Sequence, residues 1–178
     1  LAISTLSTAS SGCQWTTIYD APYTDYTTVA KVRKFSIAAA DRPLYALLGA
    51  VRASDTSTLV LAAIGDYDQV FAPTSGNSVT SSRGTAWYFR DGSSMGFAKL
   101  GSTINLYNAD YLGDNSAYRL SWHLTGGGGY RVGSITSTSD YRKVVMYCSA
   151  SSQSTPSSLR TGDLRVEAQQ VTASGRIE

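Results

Sequence analysis

The sequence predicts an all-β domain, an antiparallel sandwich or compact barrel-like fold of short strands with little helix. Three observations carry that reading. Short stretches rich in β-branched and aromatic residues recur with turn signals roughly every 8 to 12 residues, the spacing of antiparallel sheets. Charged residues make up 16% of the 178-residue chain, below the ~25% typical of soluble domains, and Ser, Thr, Gly and Tyr fill the difference. Tyr occurs 12 times against 4 Phe, and a ring with a hydrogen-bonding tip suits half-buried sheet surfaces and sites that hold polar ligands.

Residues 1–12 (LAISTLSTASSG) are small and Ser/Thr-rich and read as a lead-in. Cys13 to Thr28 mixes β-formers with the turn signals Asp20-Ala21-Pro22 and Asp25. Val29, Lys31, Arg33, Phe35 and Ile37 then alternate with Val32 and Lys34, a strand-like pattern. Residues 43–71 are the most apolar. There Leu44, Leu47, Leu48 and Val51 fall at helical spacing, but a buried hairpin turning at Ala53-Ser54-Asp55-Thr56 fits better, because Thr58 to Ile64 is short for a helix.

Residues 73–85 read as a polar loop. Strand candidates follow at 85–90, 94–100, 103–107, 118–124, 130–136 and 140–148, punctuated by Asp91-Gly92, Gly101, a polar stretch, four glycines and a Ser/Thr turn. Trp87, Tyr88 and Phe89 are consecutive, so either an aromatic is exposed or both faces of that strand are covered, as at the centre of a sandwich. Residues 151–160 are a Ser/Pro linker, and 161–178 regain a strand-like pattern suited to a following module or a C-terminal extension. The domain proper is therefore expected at 13–150.

Two cysteines bracket that domain. Cys13 precedes the first strand-like stretch and Cys148 ends the apolar run Val144-Val145-Met146-Tyr147. A bridge between them would close most of the domain into one loop, worth on the order of 4 to 5 kcal/mol in the chain-entropy model. The alternative is two unrelated buried thiols. The secreted-looking composition favours the bridge, and a bridge would set the first strand next to the last.

The formal net charge of +2, with scattered basic residues, is too small for a nucleic-acid footprint. No stretch approaches the ~20 apolar residues of a membrane span. The start at Leu1 and the lack of a signal-peptide pattern read as a processed chain or a piece of a longer one. No Asn-x-Ser/Thr sequon occurs, while the Ser/Thr runs at both ends suit O-glycans.

The lone histidine lies in Arg119-Leu120-Ser121-Trp122-His123. Alternation puts Arg119, Ser121 and His123 on one face and Leu120, Trp122 and Leu124 on the other. A hydrolase would need a nucleophile and an orienting acid around that imidazole, and the chain has neither a Gly-x-Ser-x-Gly elbow nor a His-rich metal motif. Gly126 to Gly129 resembles a hairpin turn, or a place where backbone approaches a ligand closely, rather than a phosphate loop. Its neighbours Trp122, His123, Tyr130 and Arg131, with Arg119, have the chemistry that polar ring-shaped ligands need: aromatic faces for the apolar side and donors for the hydroxyls. For Trp122, a place in the core is the stronger reading. Asn108, Asp110, Asp114 and Asn115 cluster oxygen donors suited to calcium, although the spacing is not that of an EF-hand and such residues also make ordinary turns.

The phrases WYF, GFA, RLSWH, GGYRVG and YRKVVMYC between Trp87 and Cys148 resemble a repeated, disulfide-closed module of large extracellular proteins, often found beside lectin-like domains. The closing DLRVEAQQVTASGRIE resembles the opening of a scavenger receptor cysteine-rich domain, with Gly175, Arg176, Ile177 and Glu178 matching its Gly-Arg-(Val/Ile)-Glu phrase. It lacks the glycine pair common after the first strand. The resemblances imply a mosaic extracellular protein.

Two functions follow as expectations. One is a non-enzymatic, adhesive, lectin-like module at the cell surface or matrix, with a glycan or glycoprotein as partner. The other is a structural module that builds an extracellular filament, coat or matrix through self-association or contacts with neighbouring modules, carried by low charge and exposed tyrosines such as Tyr19, Tyr23 and Tyr26.

Overall fold

A computed structural model of the chain describes residues 1–9, 13–33, 41–76, 78–104, 111–112, 117–124, 129–135 and 138–150. Among these residues the protein is all-β, with two antiparallel sheets packed face to face. The first sheet runs in the order β1 (Cys13–Pro22), β11 (Tyr141–Ala150), β2 (Tyr45–Arg52) and β3 (Asp55–Asp66). The second runs β10 (Gly129–Val132), β9 (Leu120–His123), β6 (Ser94–Lys99), β5 (Thr85–Arg90) and β4 (Thr80–Ser82). A small ladder pairs β7 (Thr103–Ile104) with β8 (Tyr111–Leu112).

The apolar segment around residue 50 forms the hairpin its turn signals predict, closed at Arg52 opposite Asp55. Helical spacing loses there because a strand buried on both faces reads as a continuous apolar run. Ala46, Leu48 and Ala50 enter the core between the sheets, while Leu47 and Val51 pack on the outer side of the first sheet. That outer side is covered by α1 (Ile3–Ala9), whose Leu6 is 2% exposed against Leu47, Leu59, Val144 and Met146. The segment expected as a lead-in thus carries a packed helix, and burial of a leucine stabilises by about 1.5–3 kcal/mol. Its start is tied down as well, by a bridge between Ala2 and Thr58 and by the Leu59 amide donating to the Leu1 carbonyl at 2.8 Å.

The inter-sheet core is aromatic. Tyr67 meets Tyr147 edge to face at 5.1 Å, and Phe71 meets Phe89 at 5.8 Å, arrangements that satisfy the ring quadrupoles. Trp87 and Phe89 both point into this core, while Tyr88 packs with Ala98 on the opposite side of the second sheet, so β5 is covered on both faces. Of the three tyrosines expected at the surface, Tyr26 is exposed and Tyr19 half-buried, but Tyr23 is fully buried in the core. Its ring packs edge-on to Trp122, which the turn signals around it do not reveal.

One strand reading and one loop reading need correction. The alternating stretch from Val29 gives α2 (Val29–Val32), one helical turn, with 34–40 outside the described residues. Helical i, i+3 spacing lets Val29 and Val32 both face the core, which a strand would not allow. The Val32 carbonyl then accepts the Tyr147 hydroxyl at 2.5 Å. The segment 73–85 is not wholly loop, since Thr80–Ser82 form edge strand β4 on Thr85–Trp87. It is held by Ser82, whose hydroxyl donates to Asp66 and accepts the Asp66 amide, each at 2.9 Å. A third helical turn, α3 (Tyr67–Val70), follows β3 and buries Tyr67 and Val70.

Cys13 and Cys148 are bridged, with Cα atoms 5.5 Å apart and 135 positions of sequence between them. The bridge joins adjacent strands, since β1 pairs with β11 in the register Trp15 opposite Cys148. Residues 151–178, including the scavenger-receptor-like phrase, lie outside the described residues.

Candidate functional site

The second sheet has two unlike faces. Its inner face carries Trp87, Phe89, Met95, Phe97, Leu120, Trp122 and Val132 into the core. Its outer face is set by the alternate residues, and the pairing register arranges them in two rows. Tyr88 lies opposite Gly96, Gly96 opposite Ser121, and Ser121 opposite Arg131, one row across β5, β6, β9 and β10. The next row runs Arg90, Ser94, His123. Hydroxyl, imidazole and guanidinium groups therefore gather beside Tyr88 and Gly96, with His123 and Arg131 partly exposed and Tyr88, Arg90, Ser94, Gly96 and Ser121 buried.

Its floor is closely packed. Ser94 is fully buried and Ser121 is 3% exposed, while His123 and Arg131 beside them are half-exposed. A methyl group on Gly96 would collide with the Leu120 carbonyl and lie 2.5 Å from the Tyr88 hydroxyl oxygen, so glycine here lets the tyrosine cross the sheet. Tyr88 in turn sits 5.8 Å below the Arg90 guanidinium, and Arg90 donates to the Gly76 carbonyl. The Ser121 hydroxyl has no hydrogen-bond partner among the described residues. A buried hydroxyl left so costs about 1–3 kcal/mol relative to one that is satisfied.

The five ligand-binding candidates fall in different places. His123 and Arg131 belong to the strip. Trp122 points the other way and is 0% exposed, in edge contact with Tyr23 at 6.2 Å, so it is core. Arg119 is buried, its Nε donating to the Gly133 carbonyl at 3.1 Å while the Gly133 amide donates back to the Arg119 carbonyl at 2.7 Å. This clasp uses the left-handed backbone of Gly133 (φ 61°) and closes the end of β9 and β10. Tyr130 lies in β10, with its side chain outside what is described. The oxygen donors Asn108, Asp110, Asp114 and Asn115, the calcium candidates, all lie outside the described residues. Among the described residues no three His, Cys, Asp or Glu side chains gather into a metal-binding group.

Sequence reasoning does not place Arg90, Ser94 and Gly96 in a site. The alternation of TAWYFR and SMGFAK carries their facing, but only the register brings them against Ser121 and His123.

A second polar feature lies inside the core. Lys143, 0% exposed, occupies the inner face of β11 between Tyr141 and Val145. Its ammonium donates to the Asp25 carbonyl at 2.5 Å and to the Thr27 hydroxyl at 2.6 Å, and the Thr27 oxygen also meets the Tyr19 hydroxyl at 2.8 Å. Burial lowers the Lys143 pKa from 10.5 to about 8, with Asp25 opposing and Lys31 reinforcing the shift. His123 is likewise held below its usual value, by partial burial and then by the Lys143 charge. Its imidazole is therefore neutral near pH 7 and offers both a donor and an acceptor.

Fold and site together define a disulfide-closed antiparallel β-sandwich with one polar outer strip. No protein-family model, curated protein or solved structure matches this chain.

Proposed function

We propose that this domain is a non-enzymatic extracellular recognition module that binds carbohydrate on the outer strip of its second sheet. The observation that carries the reading is the Ser121 hydroxyl, buried and without a described partner in a row of polar side chains. Native proteins satisfy nearly all buried polar groups, so such a hydroxyl beside half-exposed His123 and Arg131 suits a ligand rich in hydroxyl groups. The bridge between Cys13 and Cys148 supports an oxidising, extracellular setting, and among the described residues no helix is long and apolar enough to cross a membrane. A glycan-array screen of the full, oxidised chain tests the reading. Specific binding that falls on Arg131→Ala or His123→Ala supports it, and a blank from folded protein overturns it.

A structural, self-assembling module is the second reading, supported by β1. Among the described strands this ten-residue strand pairs with β11 on one side and forms the edge of its sheet, and such edges are templates for pairing with another chain. Concentration-dependent oligomers that form without glycan would favour it.

A further inference from the structure

Resting on the self-assembling reading above, we infer that β1 pairs antiparallel with β1 of a second copy, across a two-fold axis at Trp15, and closes a dimer. The directions of the main-chain groups lead there. The Cys148 and Asp140 carbonyls accept from Leu44 and Ala53, which flank β2, whereas the Tyr141 carbonyl accepts from Tyr23, just beyond β1. In an antiparallel ladder the amide and carbonyl of one residue point to the same side, and sides alternate along the strand. Even-numbered residues of β11 therefore face β2 and odd-numbered ones face β1. Cys13 lies opposite Ala150, Trp15 opposite Cys148 and Thr17 opposite Met146. These three residues of β1 consequently turn their main-chain groups away from β11, toward the outer side of the sheet. A second β1 that sets Cys13 opposite Thr17 matches outward groups with outward groups, the pairing in which two residues exchange both hydrogen bonds.

The make-up of the segment selects the occupant. Two-fold pairing confronts a strand with its own charges, and Cys13–Thr17 carries none. Nor does it hold a lysine or proline of the kind that guards an edge. The bulge after Thr17, Asp20 bound to Arg142, and Pro22 all come later and confine pairing to this half of the strand. Gln14, Thr16 and Thr17 are exposed there. The other described edges of the two large sheets offer less. Strands β4 and β10 have three and four residues, and β3 takes the bridge from Ala2 at Thr58. A two-fold contact uses the same surface on both copies and is complete at two, so it gives a dimer and not a filament. So short a ladder buries less than a standard interface, which makes the dimer weak and concentration-dependent.

The test is sedimentation velocity of the full, oxidised chain over a range of concentrations without glycan, with thermal denaturation to establish that each variant is folded. A monomer–dimer equilibrium that stops at two is expected. Gln14 faces Thr16 of the other copy in this register, as one of the closer, non-hydrogen-bonded pairs. Gln14→Lys combined with Thr16→Lys then sets like charges together and should weaken the dimer about tenfold. Gln14→Lys combined with Thr16→Glu sets opposite charges together and should restore it. Thr17→Pro removes an outward amide while sparing the ladder to β11, and should also weaken the dimer. Oligomers that ignore all three variants, or that grow past two, overturn the β1 pairing and leave self-assembly through another surface standing. A folded wild type that stays monomeric at every concentration removes both.

Discussion

The hydroxyl of Tyr23, on the loop that follows β1, donates to the main-chain carbonyl of Arg131 on β10, 2.8 Å away and 108 positions later in the chain. A longer contact of 3.3 Å reaches the Ser121 carbonyl. One side chain from the first sheet's end thus ties the second sheet at two residues of the polar strip itself. Burial keeps this phenol protonated far beyond its usual range.

Tyr23→Phe keeps the ring and its edge contact with Trp122 but removes the tie. The expected cost is about 1–2 kcal/mol, the loss of a buried hydrogen bond, read as a lower denaturant midpoint with unchanged slope. Ligand binding at the strip should weaken alongside, because Arg131 and Ser121 lose their common anchor.

Lys143 gives the domain a pH-dependent stability. Its folded pKa of about 8 lies below the unfolded 10.5, so between those values the unfolded chain binds more protons. Stability should therefore rise with pH from about 8 to 10.5 and hold its lower value below about 8, a span on the order of 3 kcal/mol. Urea denaturation across this range measures it, and Lys143→Met should flatten the profile. A wild-type stability that falls steadily over that interval would contradict the assignment.

Reducing the bridge between Cys13 and Cys148 frees a loop of 135 positions. The expected loss is on the order of 4 to 5 kcal/mol in the chain-entropy model, measured as the difference in denaturation midpoint with and without reductant. Cys148→Ala should show a loss of similar size.

Gly96→Ala should destabilise more than an ordinary strand substitution. Its methyl group meets the Leu120 carbonyl, which cannot move without breaking the β6–β9 ladder, as well as the Tyr88 hydroxyl. A cost of about 2–3 kcal/mol or more is expected, read as a lower denaturation midpoint for Gly96→Ala than for the wild type.

Much of the fold was legible in the sequence because strand periodicity and turn chemistry are local. The hairpin at residues 53–56 and the facing of Leu120, Trp122 and Leu124 opposite Ser121 follow from turn chemistry and alternation. Alternation leaves Trp87-Tyr88-Phe89 open between an exposed aromatic and a strand covered on both faces, and the packing decides for the second. The bridge followed from composition and position. The departures have physical causes. Val29 and Val32 fit the core by one helical turn, and α1 is helical because tertiary burial of Leu6 outweighs the weak propensity of a Ser/Thr-rich segment. Lys143 gave no signal, since a lysine within a strand reads as solvent-facing until the loop bearing Asp25 and Thr27 is folded over it. The candidate site was half visible. His123 and Arg131 stood out as chemistry, whereas Ser94 and Gly96 became relevant only through the register between β6 and β9.

The bridge has a mechanical consequence. It fastens the first strand of the domain to the last, side by side, so a pull applied outside Cys13 and Cys148 passes through a covalent link and bypasses the folded interior. At roughly 3.3–3.6 Å per residue, the enclosed chain stores several hundred ångströms of length that tension cannot draw out. Among the described elements only α1 and its contacts, which precede the link, stand in the path of the load. Stretched by its ends in a force spectrometer, the oxidised domain should yield a short extension and then stiffen, and the same molecule in reductant should run out to its full length.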